Sequence, residues 1–210
     1  AGVVETGAGD PRRHPRPLVP SCGGEPVSDT VLPDLLRPGL DLVICGTAAS
    51  HESRRARAYY AHPSNRFWPV LAETGLTPRL LAPEEFRLLP EFGIGLTDLA
   101  KHASGRDLDL CDEDFDVSGF RKRIVAAQPR ILVFNGKTAA ARYFGTTTQK
   151  LAYGRYGEQI GRTVLCIAHS TSGGNAHWNP DSWHGCAGLV REIARHRKKI
   201  YDAAKGFRLS

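Results

Sequence analysis

Long apolar runs are missing from this sequence: none approaches the roughly 18 residues that a membrane-spanning helix needs. The first residues also show no basic segment followed by an apolar stretch, the pattern typical of a secretory signal peptide. No internal repeat is present. These absences lead us to expect a cytoplasmic protein that does not enter a membrane.

Close cysteine spacing is also missing. A zinc knuckle or an iron–sulfur cluster needs ligands two to four residues apart, and none of the five cysteines meets this condition: Cys22, Cys45, Cys111, Cys166 and Cys186. We therefore expect no metal and no cofactor. Cys45 and Cys166 stand inside apolar runs, where a free thiol behaves as a small hydrophobic side chain. This indicates a reducing compartment.

The composition is typical of one globular domain. The chain has 210 residues, of which 41% are hydrophobic and 24% charged. Its formal net charge is +6, which favours a polyanionic partner such as nucleic acid. Residues 1–28 are rich in Pro, Gly and Arg and are predicted to be a flexible tail. A domain at 29–203 and a frayed end at 204–210 follow.

Apolar runs of strand length alternate with helical patterns. Four runs are predicted to be strands: Leu40–Cys45, Gly93–Thr97, Arg130–Phe134 and Thr163–Ala168. Most of them are continuous rather than alternating, as in strands buried on both faces. The alternation predicts a three-layer α/β/α sandwich with a short four-stranded parallel sheet.

Two of the helical patterns have readable ends. "PSNRFWPVLAETG" places Phe67, Val70 and Leu71 on one face and stops at Gly75. The last helix is predicted to begin with Asn179 as its N-cap and Pro180 at its first position.

The predicted strands all end in small or polar residues. The four ends read "GTAAS", "TDLAKHASGRD", "NGK" and "HSTSGGN". Because ligands of parallel sheets bind outside the carboxyl ends of the strands, these ends are expected to form one site.

On these segments the sequence resembles the uracil-DNA glycosylase superfamily, and most of all its mismatch-specific uracil/thymine branch. The resemblance extends from about Leu32 to Ile193 and includes "YAHPSNRFWPVLAETGLTP", "GIGLTDLAKHASGRDL" and "ILVFNGKTAA". It implies a pocket for a base flipped out of uracil-containing DNA. It also implies hydrolysis of the N-glycosidic bond without metal or cofactor, which leaves an abasic site.

The resemblance assigns the base-binding residues. The first strand end supplies backbone N–H groups that can hold uracil O2 as it gains negative charge: Gly46, Thr47, Ala48, Ala49 and Ser50. Tyr60 matches the aromatic residue that stacks on the base, and it could crowd C5 and so exclude thymine. Asn135 could read uracil O4 and N3, although the similar tripeptide of the thymine-glycosylase relatives is structural.

One position departs from the family pattern. Relatives carry Asn or Asp at the place of Ala48 to position or activate water, which alanine cannot do. We expect the missing carboxylate to come from Asp98 or Asp107, either of which could instead be a surface carboxylate or a turn cap. The choice between them stays open.

The remaining assignments concern the leaving base and DNA. His169 would stabilise the leaving base if the last loop has one extra residue, and otherwise Ser170 takes its place. Predicted DNA contacts come from the loop after the first strand and from the last loop: Arg54, Arg55, Arg57, Ser170, Thr171, Ser172, Gly173, Gly174 and Asn175. Asn175, His177 or Trp178 could fill the gap left by the flipped base.

These residues predict a monomeric uracil-DNA glycosylase. Two alternatives remain. One is a catalytically weak protein of the same fold that binds uracil or abasic sites, as Ala48 would allow. The other is an enzyme of small nucleotides, whose substrate affinity would depend little on salt.

Overall fold

The computed structural model describes residues 30–206 of the chain, and the side chains among them as far as residue 195. Strands and α-helices follow in the order β1 (Leu42–Ala49), α1 (His51–Ala56), α2 (Phe67–Glu73), β2 (Ile94–Ser104), α3 (Val117–Ala127), β3 (Ile131–Asn135), α4 (Lys137–Phe144), β4 (Gly154–Ile160), β5 (Thr163–Ala168) and α5 (Asp181–Gly206). Short 3₁₀ helices lie at Pro83–Phe92, Asp107–Asp109, Asp112–Asp114 and Thr148–Lys150. The predicted tail at residues 1–28 and the last residues of the predicted frayed end lie outside this range.

The strands form one sheet in the order β2-β1-β3-β5-β4. The contacts β1–β2, β1–β3 and β3–β5 are parallel, and β4 pairs antiparallel with β5. The predicted α/β class is therefore confirmed, but the predicted count of four strands is wrong. β4 was missed because its sequence, GRYGEQI, has no apolar run, and as an edge strand it is mostly exposed.

Two strands are longer than their apolar runs. β1 continues through "GTAA" and β2 continues through "DLAKHAS", segments that were predicted to follow the strands. Polar residues are hard to recognise as strand from the sequence, yet Asp98 and Lys101 are both buried within β2. In the β1–β2 register Gly46 lies opposite Asp98. This pairing positions the site described below.

Helices cover both faces of the sheet. One core cluster joins the sheet to α2 and α5 through Phe67, Leu71 and Trp183, and the other joins it to α3 and α4 through Phe120 and Tyr143. The predicted face of α2 is confirmed, since Phe67, Val70 and Leu71 are at most 1% exposed. Burying side chains of this size stabilises the fold by roughly 1.5–3 kcal/mol each.

The helix ends agree with the sequence to within a residue. Gly75, directly after the C-cap of α2, has a φ of +68°, a conformation that glycine adopts without strain. α5 begins at Asp181, one residue after the predicted Pro180, and the Asn179 Oδ1 accepts a 2.8 Å hydrogen bond from the Asp181 N–H. None of the helices at 30–206 combines the length and apolarity that crossing a bilayer takes.

The cysteines only partly match the expectation of free thiols. Cys45, Cys166 and Cys186 are free and buried. Cys111 is disulfide-bonded, so it is not the free thiol that was expected for a reducing compartment.

Candidate active site

A cavity of about 500 Å³ opens at the carboxyl ends of the parallel strands. It brings together residues from all four predicted strand ends: Gly46, Thr47, Ala48, Ala49, Ser50, Asp98, Asp107, Asn135, Ser170, Thr171, Ser172, Gly174 and Asn175. Tyr60, which precedes α2, also lines it. The remaining predicted site residues lie elsewhere: Arg54, Arg55, Arg57, His169 and Gly173.

The end of β1 leaves one side of its backbone facing this cavity. β1 pairs with β2 as far as Ala49, but its pairing with β3 stops at Cys45. From Gly46 onward the β3 side of the strand therefore has no strand partner. Backbone N–H groups on that side are in position to bind an acceptor atom of a ligand in the cavity.

Gly46 and Asp98 touch across the β1–β2 pair. A Cβ atom placed on Gly46 would lie 2.4 Å from the Asp98 Oδ1 and 3.2 Å from the Tyr60 hydroxyl oxygen. Real Cβ atoms do not approach a carboxylate this closely, so any larger residue would displace the carboxyl group. Because position 46 has no side chain, the Asp98 carboxylate and the Tyr60 hydroxyl can both lie close to the Gly46 backbone in the cavity wall.

Asp98 is a buried acid with an unusual proton affinity. It is 3% exposed, and burial raises its pKa from 3.8 to about 7, helped by the negative charge of Asp34 and opposed by Lys101 and Arg123. Within residues 30–206 no group donates a hydrogen bond to its carboxylate. A carboxyl group that titrates near neutrality can accept a proton from water at physiological pH.

Asp107 has a different environment, although it lines the same cavity. It begins the 3₁₀ helix Asp107–Asp109 at the rim and is exposed to solvent. The two aspartates between which the sequence could not choose are thus a buried wall residue and a solvated rim residue. The environment that suits a general base is that of Asp98.

Tyr60 forms the adjoining wall. Its φ is +53°, which is uncommon for a residue with a side chain, and its ring stacks on Phe67 at a centroid distance of 3.9 Å. Burial and the charge of Asp98 raise the pKa of Tyr60 well above 10, whereas the nearby Asn135 amide lowers it. The hydroxyl is nevertheless buried without a well-formed hydrogen bond. A buried unpaired hydroxyl costs about 1–3 kcal/mol, which a ligand could relieve.

Asn135 braces the last loop. Its Nδ2 donates to the Thr171 Oγ1, and its Oδ1 accepts from the Thr171 N–H, both at 2.9 Å. Thr171 is fully buried, so the prediction that its hydroxyl contacts phosphate is wrong. The same loop is held by the Arg66 guanidinium, whose Nη1 donates to the Ser172 carbonyl at 3.1 Å. Ser170, Ser172, Gly174 and Asn175 remain at the cavity surface.

His169 does not face the cavity, which corrects the expected position beside the leaving base. Its ring stacks on Tyr153 at 3.5 Å and its Nδ1 lies 2.9 Å from the Ser182 Oγ, within a separate pocket. Burial, followed by the charge of Lys137, lowers the pKa of His169. Ser170 lines the cavity instead, as expected for a loop without the extra residue.

The arginines predicted to lie in a loop are helical. Arg54 and Arg55 belong to α1, and Arg57 is its C-cap. Arg54 and Arg57 line a second cavity of about 340 Å³ together with Arg87, which the sequence did not single out. This cavity shares Leu32 with the first one. Gly173 is half-buried and does not line the first cavity, and a Cβ there would lie 1.9 Å from the Ser64 Oγ.

Comparison with known proteins gives the same fold and one family. The family model described as the uracil DNA glycosylase superfamily matches residues 33–187. Among solved structures, the NMR structure of a candidate uracil DNA glycosylase from Methanosarcina acetivorans superimposes with a TM-score of 0.52. The two chains are 23% identical, and the alignment covers 78% of this chain and 96% of the other. At this identity the likeness shows a shared fold.

Proposed function

The chain belongs to the uracil DNA glycosylase superfamily, and we propose that it hydrolyses the N-glycosidic bond of deoxyuridine in DNA. The products are free uracil and an abasic site. One observation carries the proposal: a buried carboxyl group, Asp98, faces a cavity of about 500 Å³ at the carboxyl ends of the strands. That group supplies the carboxylate missing at Ala48.

In the proposed reaction Asp98 acts as the general base. Its ionised form accepts a proton from a water molecule, whose oxygen attacks C1′ of the sugar as the bond to the base breaks. The same negative charge favours the positive charge that develops on the sugar ring, because interactions between charges are strong in a buried site. The uracil O2 is held by backbone N–H groups of β1 beyond Gly46.

Uracil DNA is favoured over a small nucleotide by the charge around the cavity. The net charge is +6, and Arg54, Arg57 and Arg87 meet in the adjacent cavity that shares Leu32. Phosphates on either side of an extruded nucleotide would be attracted to such a surface. Ser170 and Ser172, which line the first cavity, provide hydroxyl donors for the DNA backbone.

We also propose kinship to the mismatch-specific uracil/thymine branch. Tyr60 supports a preference of this chain for uracil over thymine. Its ring is held by Phe67, so it cannot swing away to admit a C5 methyl group without breaking that stack. Its buried hydroxyl also offers a donor to the base.

A second function is favoured by Ala48, which lines the cavity and has no group that can activate water. In that case the protein binds uracil or abasic DNA without turnover. The two functions differ in whether Asp98 can replace the missing side chain.

The test is excision from a uracil-containing duplex under single-turnover conditions, followed by alkali to cut abasic sites. We expect the wild type to cut and Asp98→Asn to lose about 10²–10⁴-fold in rate. Glu91→Gln, which removes an exposed carboxylate that does not line the cavity, serves as the matched control and should keep the wild-type rate. A stable band shift without cutting by the wild type would instead support the binding protein.

A further inference from the structure

A group of buried charges lies next to Asp98. Its centre is Asp34, in the segment that precedes β1. The Asp34 Oδ1 accepts a hydrogen bond from the Thr97 hydroxyl at 2.7 Å and forms an ion pair with the Lys101 Nζ at 2.8 Å. The Asp34 Oδ2 forms a second ion pair, with the Arg123 Nε at 3.1 Å. We call Asp34, Thr97, Lys101 and Arg123 the Asp34 network.

Lys101 is held in place by three oxygen atoms. Its side chain is 5% exposed, and its Nζ donates to the Leu32 carbonyl at 2.7 Å and to the Tyr59 hydroxyl at 3.3 Å. The ion pair with Asp34 is the third contact. Its positive charge therefore stays at a fixed place near Asp98, three residues earlier on the same strand.

Arg123 connects the network to Asp98 itself. It reaches across from α3, and its Nη2 donates to the Asp98 carbonyl at 3.3 Å while its Nε pairs with Asp34. The guanidinium is only partly exposed, at 28%. Water screens its charge less than that of a surface arginine.

The charges that act on Asp98 come from three parts of the chain. They are Asp34 before β1, Lys101 on β2 and Arg123 on α3. The other titratable neighbours, Cys45, Tyr59 and Tyr60, are neutral at physiological pH, because burial raises the pKa of each. With Asp98 ionised, two anions face two cations and the group has no net charge. With Asp98 protonated, one positive charge is left uncompensated in a buried place.

We propose that Asp34, Lys101 and Arg123 are positioning residues that set the pH at which Asp98 gains its proton. This inference rests on the proposed function of Asp98 in base excision. Burial disfavours the ionised form of Asp98, and the two cations stabilise that form. The negative charge of Asp34 offsets part of this stabilisation, so Asp98 keeps enough proton affinity to accept a proton from water. None of the three touches the substrate in this account.

A purely structural role is the alternative. The network also joins the segment before β1 to the edge strand β2, together with backbone bonds from the Val31 N–H to the Lys101 carbonyl and from the Leu35 N–H to the Leu96 carbonyl, each 2.9 Å. If tethering were its only role, substitutions would lower stability and leave the titration of Asp98 unchanged. The pH midpoint thus separates the two roles.

The experiment measures the Asp98 midpoint by NMR with ¹³C-labelled aspartate carboxyl groups, assigned through the Asp98→Asn spectrum. We expect Asp34→Asn to lower the midpoint and Arg123→Gln to raise it, each by about one pH unit, or tenfold in proton affinity. Asp34→Glu keeps the charge and should restore the midpoint towards the wild-type value. Glu85→Gln removes the acid of an exposed pair with Arg79 and is the matched control, with no shift expected.

The pH profile of single-turnover excision is recorded on the same variants, and thermal melts show that each is folded. Midpoints that stay at the wild-type value in folded Asp34→Asn and Arg123→Gln would overturn the inference. The NMR titration reads Asp98 even in a protein that does not cut DNA. Shifted midpoints without any excision by the wild type would therefore contradict the proposed function and leave the inference standing.

Discussion

Replacing Asp98 by asparagine is expected to make the folded protein more stable above neutral pH while it slows excision by about 10²–10⁴-fold. The side chain is 3% exposed, and in its ionised form it is a buried charge that accepts no hydrogen bond from residues 30–206. Asparagine has nearly the same shape and carries no charge. Stability and activity should then change in opposite directions, as expected for a residue retained for function.

The size of the effect follows from the pKa. Folding raises the pKa of Asp98 from 3.8 to about 7. An acid with a raised pKa stabilises the fold below its unfolded pKa, and this stabilisation is lost as pH rises through the folded pKa. At about 1.4 kcal/mol per pH unit, the wild type should lose roughly 4 kcal/mol relative to Asp98→Asn between pH 4 and pH 7.

The assay is urea unfolding of both proteins from pH 5 to pH 8.5. We expect the difference in the free energy of unfolding to grow by about 1.4 kcal/mol per pH unit up to about pH 7 and then to level off. Glu91→Gln provides the baseline for loss of an exposed carboxylate. A difference that stays constant over this range would contradict this expectation, because Asp98 would then titrate at the same pH in the folded and the unfolded chain.

Two further predictions concern the cavity wall and the DNA contacts. Gly46→Ala should slow excision by about 10²-fold, because the added Cβ would lie 2.4 Å from the Asp98 Oδ1 and would displace that carboxylate. Gly185→Ala in α5 is the control: a Cβ there meets no atom within 4 Å, so the single-turnover rate should not change. Equal rates in the two variants would show that the close approach of Gly46 to Asp98 does not matter for excision. Arg87→Gln should weaken DNA binding and reduce the slope of log affinity against log salt by about 0.9, as measured by fluorescence anisotropy. Arg162→Gln removes the same charge just before β5, at the amino end of the parallel strands, and should leave the slope unchanged. If both variants reduced the slope equally, DNA would not bind specifically beside Arg87.

Several features of the site could be predicted because they depend on chain order. A parallel sheet places the residues after its strands at one edge, so Gly46, Asn135 and Ser170 had to come close together once the strands were recognised. The resemblance of motifs then pointed to Tyr60 and Asp98. All five of these residues line the cavity.

Other features were not visible in any local pattern. β4 has no apolar run, and the polar ends of β1 and β2 resemble turns although they are strands. His169 is drawn away from the cavity by Ser182 on α5 and by Tyr153 before β4, contacts that no spacing rule predicts. In the sequence, Lys101 is only one more charged residue in the polar end of β2.

The alternation of strands and helices and the set of residues at the carboxyl edge follow from residue order, because both depend on hydrophobic periodicity and on the geometry of parallel strands. Which aspartate is buried, and which charges surround it, depends on the packing of distant segments. Asp34, Asp98 and Arg123 belong to three segments far apart in the chain. A pKa depends on distances through space and on exclusion of water, and neither quantity is encoded in the order of residues along a strand.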